Sequence, residues 1–377
     1  MTEWIECTLD KLGEIVGGAT PSTKCEDYYG GSIPWITPKD LSSFKGRYIT
    51  SGERNITEKG LASCSAQMMP KDAVLFTSRA PIGYVAIASQ SVCTNQGFKS
   101  IVVNEKADPL FVYYLLKYNK DAIEAMGSGT TFKEVSGKTM RAVKVRIPLD
   151  VSYQKRIAAV LDSLDTKIEN NERINDNLLE QASSIYQAWF EDFILSDGSC
   201  PPSWKQGTLA GIADITSGKR PPVKSAEKTD NAIIPIVGAA SVMGYTTEAN
   251  HTDKILVTGR VGTHGVVQRF NSPCWASDNT LVITSAFYEY TFQILQRIDY
   301  RTLNRGSTQP LITQGDMNKV PILIPDNETL LKFETLVGQL MKQYQVNLLE
   351  NDKLAELRDA LLPKLMSGEI DVSAVHF

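Results

Sequence analysis

Apolar side chains recur at alternating steps of four and three at Ile157, Leu161, Leu164, Ile168, Leu178, Ala182, Ile185 and Trp189, with Asn171 and Asn175 standing at two of the same steps. The series returns in register at Phe333, Val337, Leu340, Tyr344, Asn347, Asn351, Leu354, Arg358, Leu361 and Leu365. This is the heptad spacing of a coiled-coil face. Both copies put asparagine at the same two seam positions, so the chain is built from two related halves, each ending in a long helix. Pro148 and Pro325 stand just before the helices, where proline is tolerated. Asp150 or Ser152 is the candidate cap of the first, and Asp326 of the second. The first helix is expected to run about 45 residues, or roughly 65 Å at 1.5 Å per residue. Pro201-Pro202, following Ser196-Asp197-Gly198, ends it. A long single helix must bury its seam, and the nearest seam is the other helix. The expectation is an antiparallel pair holding two globular parts at a fixed distance. Asparagines in the seam fix its register; the alternative is that they mark a helix break.

The repeat extends into the globular parts. Trp4, Leu9, Ile15, Gly18 and Pro21 return as Trp204, Leu209, Ile215, Gly218 and Pro221. Ile33-Pro34-Trp35-Ile36 is echoed by Ile234-Pro235-Ile236-Val237, and the Asp72 to Arg79 segment by Asp253 to Arg260. On that alignment Arg79 matches Arg260 and Cys93 matches Cys274. One fold is used twice with two different surfaces. Short apolar runs around turn residues predict strands at 74–77, 84–88, 101–103 and 143–147, and again at 254–257, 266–268 and 281–284. Single helices are expected at 111–126 and 287–300. Strands with segregated helices and no regular βαβ alternation give an α+β class. The expected order is a first globular domain at 1–149, a spacer helix at 150–195, a second domain at 196–325, and a second helix with its tail at 326–377.

Charge sharpens this division. The net charge is −4, but residues 150–195 hold 4 basic and 9 acidic side chains, and residues 326–377 hold 5 and 9. The globular segments hold 18 against 15 and 12 against 10. They are therefore mildly basic, +3 and +2, beside acidic helices. That is compatible with nucleic-acid binding by the globular parts; acidic helices that are merely well solvated would look the same. No apolar run reaches the roughly 18 residues of a membrane span, and the start of the chain lacks a signal-peptide pattern. Six scattered cysteines without a C-x-x-C pair suit a cytoplasmic chain with reduced thiols. Three dispersed histidines do not suggest a zinc site.

Catalytic signatures are missing. There is no Asn-Pro-Pro-Tyr or Asp-Pro-Pro-Tyr of the kind that holds a flipped base, and no G-x-G-x-x-G opening a βαβ unit. Ser136-Gly137-Lys138-Thr139 fails as a P-loop because position 132 is Phe where that motif needs glycine. Scattered carboxylates show no pattern.

Taken together, the chain resembles the specificity subunit of a type I restriction–modification enzyme. The matching stretches are Ile33-Pro-Trp-Ile-Thr-Pro-Lys-Asp-Leu41, Ser78-Arg-Ala-Pro-Ile-Gly-Tyr84, Asn95-Gln-Gly97 and Gly127-Ser-Gly-Thr-Thr131. The second half has Gly259-Arg-Val-Gly-Thr-His-Gly265, Cys274-Trp-Ala-Ser-Asp-Asn279 and Gly306-Ser-Thr308. The helix runs Gln154-Lys-Arg-Ile-Ala-Ala-Val-Leu161 and Ile168-Glu-Asn-Asn-Glu172 match as well. The resemblance spans essentially the whole chain; the second half departs in having Asp278-Asn279 for Asn95-Gln96. It implies two target-recognition domains, each reading one half of a split site in double-stranded DNA, and two helices that dock modification subunits. The implied chain is non-catalytic and needs no cofactor. S-adenosylmethionine, ATP and Mg belong to the partners: two methyltransferase subunits and the restriction/translocase subunits. Two alternatives are a recognition adapter of another defence system and a nuclease with an unrecognised site; a third is a helical scaffold with no DNA role.

DNA readout needs loop donors that reach base edges and cations that reach phosphates. The first half offers Lys39, Ser42, Lys45, Arg79, Asn95, Gln96, Thr130, Thr131 and Lys133. The second offers Lys219, Arg220, Lys224, Arg260, His264, Asn279, Ser307, Thr308 and Gln309. Asn95 and Asn279 could instead close turns. Trp35, Trp204 and Trp275 are read as core rather than as base-stacking platforms.

Overall fold

The computed structural model describes residues 3–129, 133–305 and 311–375. It forms two compact units, Met1–Arg173 with Leu348–Phe377, and Ile174–Asn347. Each long helix is thus shared between units. The reason lies in its apolar side chains: Tyr153, Ile157, Ala158 and Leu161 join Leu365 and Met366 in the core of the first unit. Leu178, Ala182, Tyr186 and Phe190 join Phe333, Val337 and Met341 in the core of the second.

In the first unit a five-stranded sheet runs in the order Gly13–Gly17, Lys99–Val103, Val74–Ser78, Ile82–Ala88, Tyr48–Ile49. A three-stranded sheet orders Asn55–Ile56, Tyr29–Ile36, Cys93–Thr94, and Trp4–Thr8 pairs with Lys144–Pro148. The second unit repeats the plan. Its sheets are Ala213–Ser217, Thr280–Ser285, Ile255–Gly259, Val267–Phe270 and Val242–Thr246, Ile234–Val237, Trp275–Ala276, with Lys205–Thr208 paired to Pro321–Ile324. The class is α+β with the fold used twice. The hydrogen-bond register corrects one alignment. Val74 pairs with Ile101 and Leu256 with Ile283, so Arg260 is the counterpart of Ser78, one residue short of Arg79. The same register sets Cys93 against Trp275 instead of Cys274.

Two expected helices are broken. In place of one helix at 111–126 stand two, Pro109–Tyr118 and Lys120–Ala125, because the Asn119 side chain turns back to donate to the Leu115 carbonyl at 2.8 Å. Residues 287–300 hold Tyr288–Arg297, after which Ile298 is extended and Asp299 caps a new turn, Tyr300–Leu303.

The first long helix, Val151–Tyr186, has 36 residues, fewer than expected, and widens into a π turn, Gln187–Glu191. Phe193, at φ +52°, ends it before the prolines. The second, Asn327–Ser367, has 41 residues. Asp150 accepts from the Ser152 amide at 2.8 Å and Asp326 from the Thr329 amide at 2.9 Å, so the aspartates are the caps. The pairing is antiparallel within each unit. In the first, Asn171 donates to Asn351 at 2.8 Å, Arg358 meets Asp165 at 2.7 Å and Tyr153 meets Asp371 at 2.9 Å. In the second, Asn347 donates to Asn175 at 2.8 Å and Phe190 packs on Phe333 at 5.1 Å. The asparagines lie inside unbroken helix and hydrogen-bond to one another.

The heptad step gives way where each helix meets its globular part. Ile157, Leu161 and Leu178 are buried, but Leu164 and Ile168 are half-buried while Asp165 is buried. Ile185 and Trp189 likewise yield to Tyr186 and Phe190. Steps of four keep a wider stripe turned to a globular core than the alternating seam does. In the second helix Phe333, Val337 and Asn347 are buried, and Leu340, Tyr344, Asn351 and Leu354 half-buried.

Charge ties the first globular part to its helix. Arg47, 6% exposed, reaches Asp162 at 2.5 Å, Thr166 at 2.9 Å and Glu169 at 3.0 Å. Burial alone would lower its pKa; its bond to Tyr114 and the charges of Asp162 and Glu169 reverse that and raise it. These helix carboxylates are therefore structural partners and not a solvated face. Arg47→Ala is expected to destabilise the first unit by about 3 kcal/mol, since it strands partly buried carboxylates; urea unfolding measures it.

Glu334 plays the corresponding part in the second unit. Its carboxylate accepts from the Glu289 amide at 3.1 Å and the Tyr290 amide at 2.8 Å, at the start of the helix Tyr288–Arg297. Burial raises its pKa to about 7 from 4.5, outweighing those amides; Glu289 adds to the rise and Lys254 opposes it. The stability that follows is full below pH 4.5 and lost as pH rises through about 7. Melting of wild type against Glu334→Gln between pH 5 and 8 is expected to show a wild-type decline that the variant flattens.

Candidate nucleic-acid interface

Backbone hydrogen bonds gather the ends of five segments at one place in the first unit. The Ala19 amide donates to Thr94 at 3.0 Å, Asn95 to Ile36 at 3.0 Å, Ser78 to Gly97 at 2.7 Å and Val135 to Ser78 at 2.9 Å. Gly18 and Gly97 permit this closeness. A Cβ on Gly18 would lie 2.1 Å from the Asn95 carbonyl oxygen, and one on Gly97 2.8 Å from the Pro38 ring. Lys39, Arg79, Asn95, Gln96 and Lys133 stand on or beside these segments.

Their states differ. Asn95 accepts from the Gly97 amide at 2.8 Å, so it closes the turn, and exposed Gln96 takes a hydrogen bond from Thr20. Arg79 is half-buried and shares Glu134, at 3.5 Å, with Lys99 at 3.6 Å. Its charge is largely met within the protein. Lys133 is exposed. Lys39 pairs with Glu53 at 2.7 Å, which raises its pKa, and Ser42 donates to the Lys39 carbonyl at 2.6 Å; both line an open groove of about 680 Å³. Lys45 lies apart, in a groove with Phe44, Tyr84 and Lys117. Thr130 and Thr131 lie outside the described residues.

The second unit rebuilds the same junction. Lys219 donates to Ala276 at 2.9 Å, Ser277 to Val237 at 3.1 Å, Arg260 to Asn279 at 2.8 Å and Ile312 to Arg260 at 3.0 Å. Lys219, Arg220, Lys224 and Asn279 are exposed, and Arg260 and His264 half-buried. His264 Nδ1 lies 3.1 Å from the Gly259 carbonyl oxygen, while its buried Nε2 has no partner among the described residues. Lys224 sits next to Ser225, which makes a single bridge to Tyr245 at the edge of the neighbouring three-stranded sheet. Ser307, Thr308 and Gln309 lie outside the described residues.

Trp35 and Trp204 are buried, as expected of core residues, while Trp275 is half-buried. Reading the sequence missed Thr20, the partner of Gln96, and Arg305. Arg305 is exposed, pairs with Asp316, and bonds through its amide to Leu311. A cation directly before Gly306-Ser307-Thr308 was the available signal. Among the described residues no group of three His, Cys, Asp or Glu could hold a metal, and no helix is long and apolar enough to cross a membrane.

The family described as type I restriction modification DNA specificity domain matches this chain over residues 1–180 and 201–358. The type I restriction enzyme MjaIX specificity subunit of Methanocaldococcus jannaschii is 33% identical over 410 residues, covering 98% of this chain and 94% of its own. The HindI specificity subunit of Haemophilus influenzae is 21% identical over 370 residues, covering 72% and 80%. In fold, the chain is similar to the type I restriction–modification S subunit from M. genitalium, with a TM-score of 0.61 at 18% identity over 97% of this chain and 96% of that one.

Proposed function

We propose that this chain, which belongs to the type I restriction–modification DNA specificity family, reads a split site with one half assigned to each compact unit. It is a DNA sequence-recognition subunit and works in association with the other subunits of such a system. The observation that carries the split reading is the junction built twice. The same backbone hydrogen bonds hold both, and they set Asn95-Gln96-Gly97 against Ser277-Asp278-Asn279; turn-closing Asn95 and exposed Gln96 in one thus give way to exposed Asp278 and Asn279, with exposed Lys219-Arg220, in the other. Identical scaffolds with different donors suit two readers of different bases.

In this reading the recognition chain carries no catalytic centre. Two methyltransferase subunits, which bind S-adenosylmethionine, dock on the paired helices, and restriction/translocase subunits supply the chemistry that uses ATP and Mg. The complex acts on double-stranded DNA in the cytoplasm. The test is to sequence the methylated adenines of a cell carrying the chain with its partner subunits. The expected motif has two defined parts separated by unspecified bases. A single continuous motif would overturn the reading.

A further inference from the structure

Both junctions contain an indole hydrogen bond that common ancestry of the halves does not explain. In the first unit Trp35 Nε1 donates to the Ala19 carbonyl at 3.0 Å; in the second Trp275 Nε1 donates to the Lys219 carbonyl at 2.7 Å. Ala19 and Lys219 are counterparts, each directly after a glycine and each bonded through its amide to the strand at Thr94 or Ala276. The tryptophans are not counterparts. Strand register pairs Trp35 with Cys93, and Ile236 with Trp275. The indole therefore comes from one member of this cross-strand pair in the first unit and from the other member in the second. Two unrelated positions supply the same donor to the same acceptor.

The acceptor lies where a loop begins. With both backbone groups of residue 19 or 219 occupied, the chain leaves the sheet from a fixed point, and the side chains that follow are set against the neighbouring turn. In the first unit the next residue, Thr20, reaches Gln96. In the second, Lys219 and Arg220 project into solvent beside the strand that leads to Asn279. A slip of one residue would displace these donors by about 3.3 Å and turn them to the opposite face.

We infer that Trp35 and Trp275 are positioning residues for DNA readout, each fixing the register of the loop that starts at Ala19 or Lys219. The inference rests on the DNA-reading function proposed above. A core role alone would need the ring and not the N–H. Phenylalanine keeps most of the ring and removes the donor, so it separates the two.

The experiment selects duplexes from random-sequence DNA with the assembled complex, using wild type, Trp275→Phe and Trp35→Phe, followed by sequencing and a melting curve for each protein. Trp275→Phe is expected to lower base discrimination about tenfold in one half of the selected motif and to leave the other half as in wild type. Trp35→Phe is expected to do the same in the opposite half. An unchanged motif from folded Trp275→Phe overturns the inference and leaves the DNA-reading function standing, as does equal loss in both halves. Trp275 is the half-buried one of the two, so that variant decides the matter if Trp35→Phe fails to fold. A wild-type complex that selects no two-part motif overturns the split reading itself, and this inference with it.

Discussion

Replacing residues 1–149 with the same segment of a relative that reads another site is expected to change one half of the methylated motif completely and leave the other half untouched. Each unit has its own hydrophobic core. Phe76, Ile101, Phe111 and Tyr114 pack in one cluster, and Leu256, Ile283, Tyr290 and Leu295 in another. Each unit also has its own sheets and its own loop junction. Since each mismatched base pair costs about 1–3 kcal/mol, a half-site several base pairs long would be rejected by several powers of ten. The structure adds a condition. The segment is fastened to the helix by Arg47, by the Tyr114 hydroxyl, which donates to Asp165 at 2.7 Å, and by the buried Gln154, which accepts from the Asp108 amide at 3.0 Å and donates to the Pro148 carbonyl at 2.9 Å. An incoming segment that lacks Arg47 and Tyr114 should fold poorly, and restoring both should rescue the exchange. Methylation sequencing of the exchanged chain with its partners decides. Simultaneous change in both halves of the motif would show that the units do not read independently.

The long helices were legible because a buried stripe leaves a periodic trace, and their capping aspartates because a side chain that bonds the first free amides is a local device. The duplication was legible in the order of landmarks such as Trp4 and Trp204. What eluded the sequence was non-local. Asp165 looks like a solvent position, yet it is buried because Tyr114 and Arg358 come to it from far along the chain. The helix breaks at Asn119 and Ile298 depend on one side-chain bond and one extended residue, which leave no periodic signal. The offset between Arg79 and Arg260 is a one-residue shift already present at Val74 and Leu256, which pair with the counterpart residues Ile101 and Ile283. Such a shift changes which residue occupies a site without altering the hydrophobic pattern. For the candidate interface, the segments that meet were recognisable from their glycines and turns. Whether a given cation is available was not, since that depends on partners such as Glu134 and Glu53.

That difference in availability leads to a large expected effect on DNA affinity, confined to the second unit. Residues 218–228 carry Lys219, Arg220, Lys224 and Lys228 against Glu227, a net of +3, whereas residues 18–28 carry Lys24 against Glu26 and Asp27, a net of −1. The chain as a whole is at −4, so few surfaces can neutralise phosphate without help from partners. Phosphate contacts dominate affinity for DNA, and each contact contributes about 0.9 to the slope of log K against log salt. Changing Lys219, Arg220 and Lys224 together to alanine is therefore expected to reduce that slope by up to about 2.7. Arg79→Ala should change the slope little, because Glu134 already meets that charge at 3.5 Å. Lys24→Ala should behave likewise, beside two carboxylates of its own loop. Titration of the assembled complex against duplex DNA at several salt concentrations measures all three. A slope that falls as far for Arg79→Ala as for the triple change would show that charge at the first junction is free for DNA, and that the pairing with Glu134 gives way when the duplex binds.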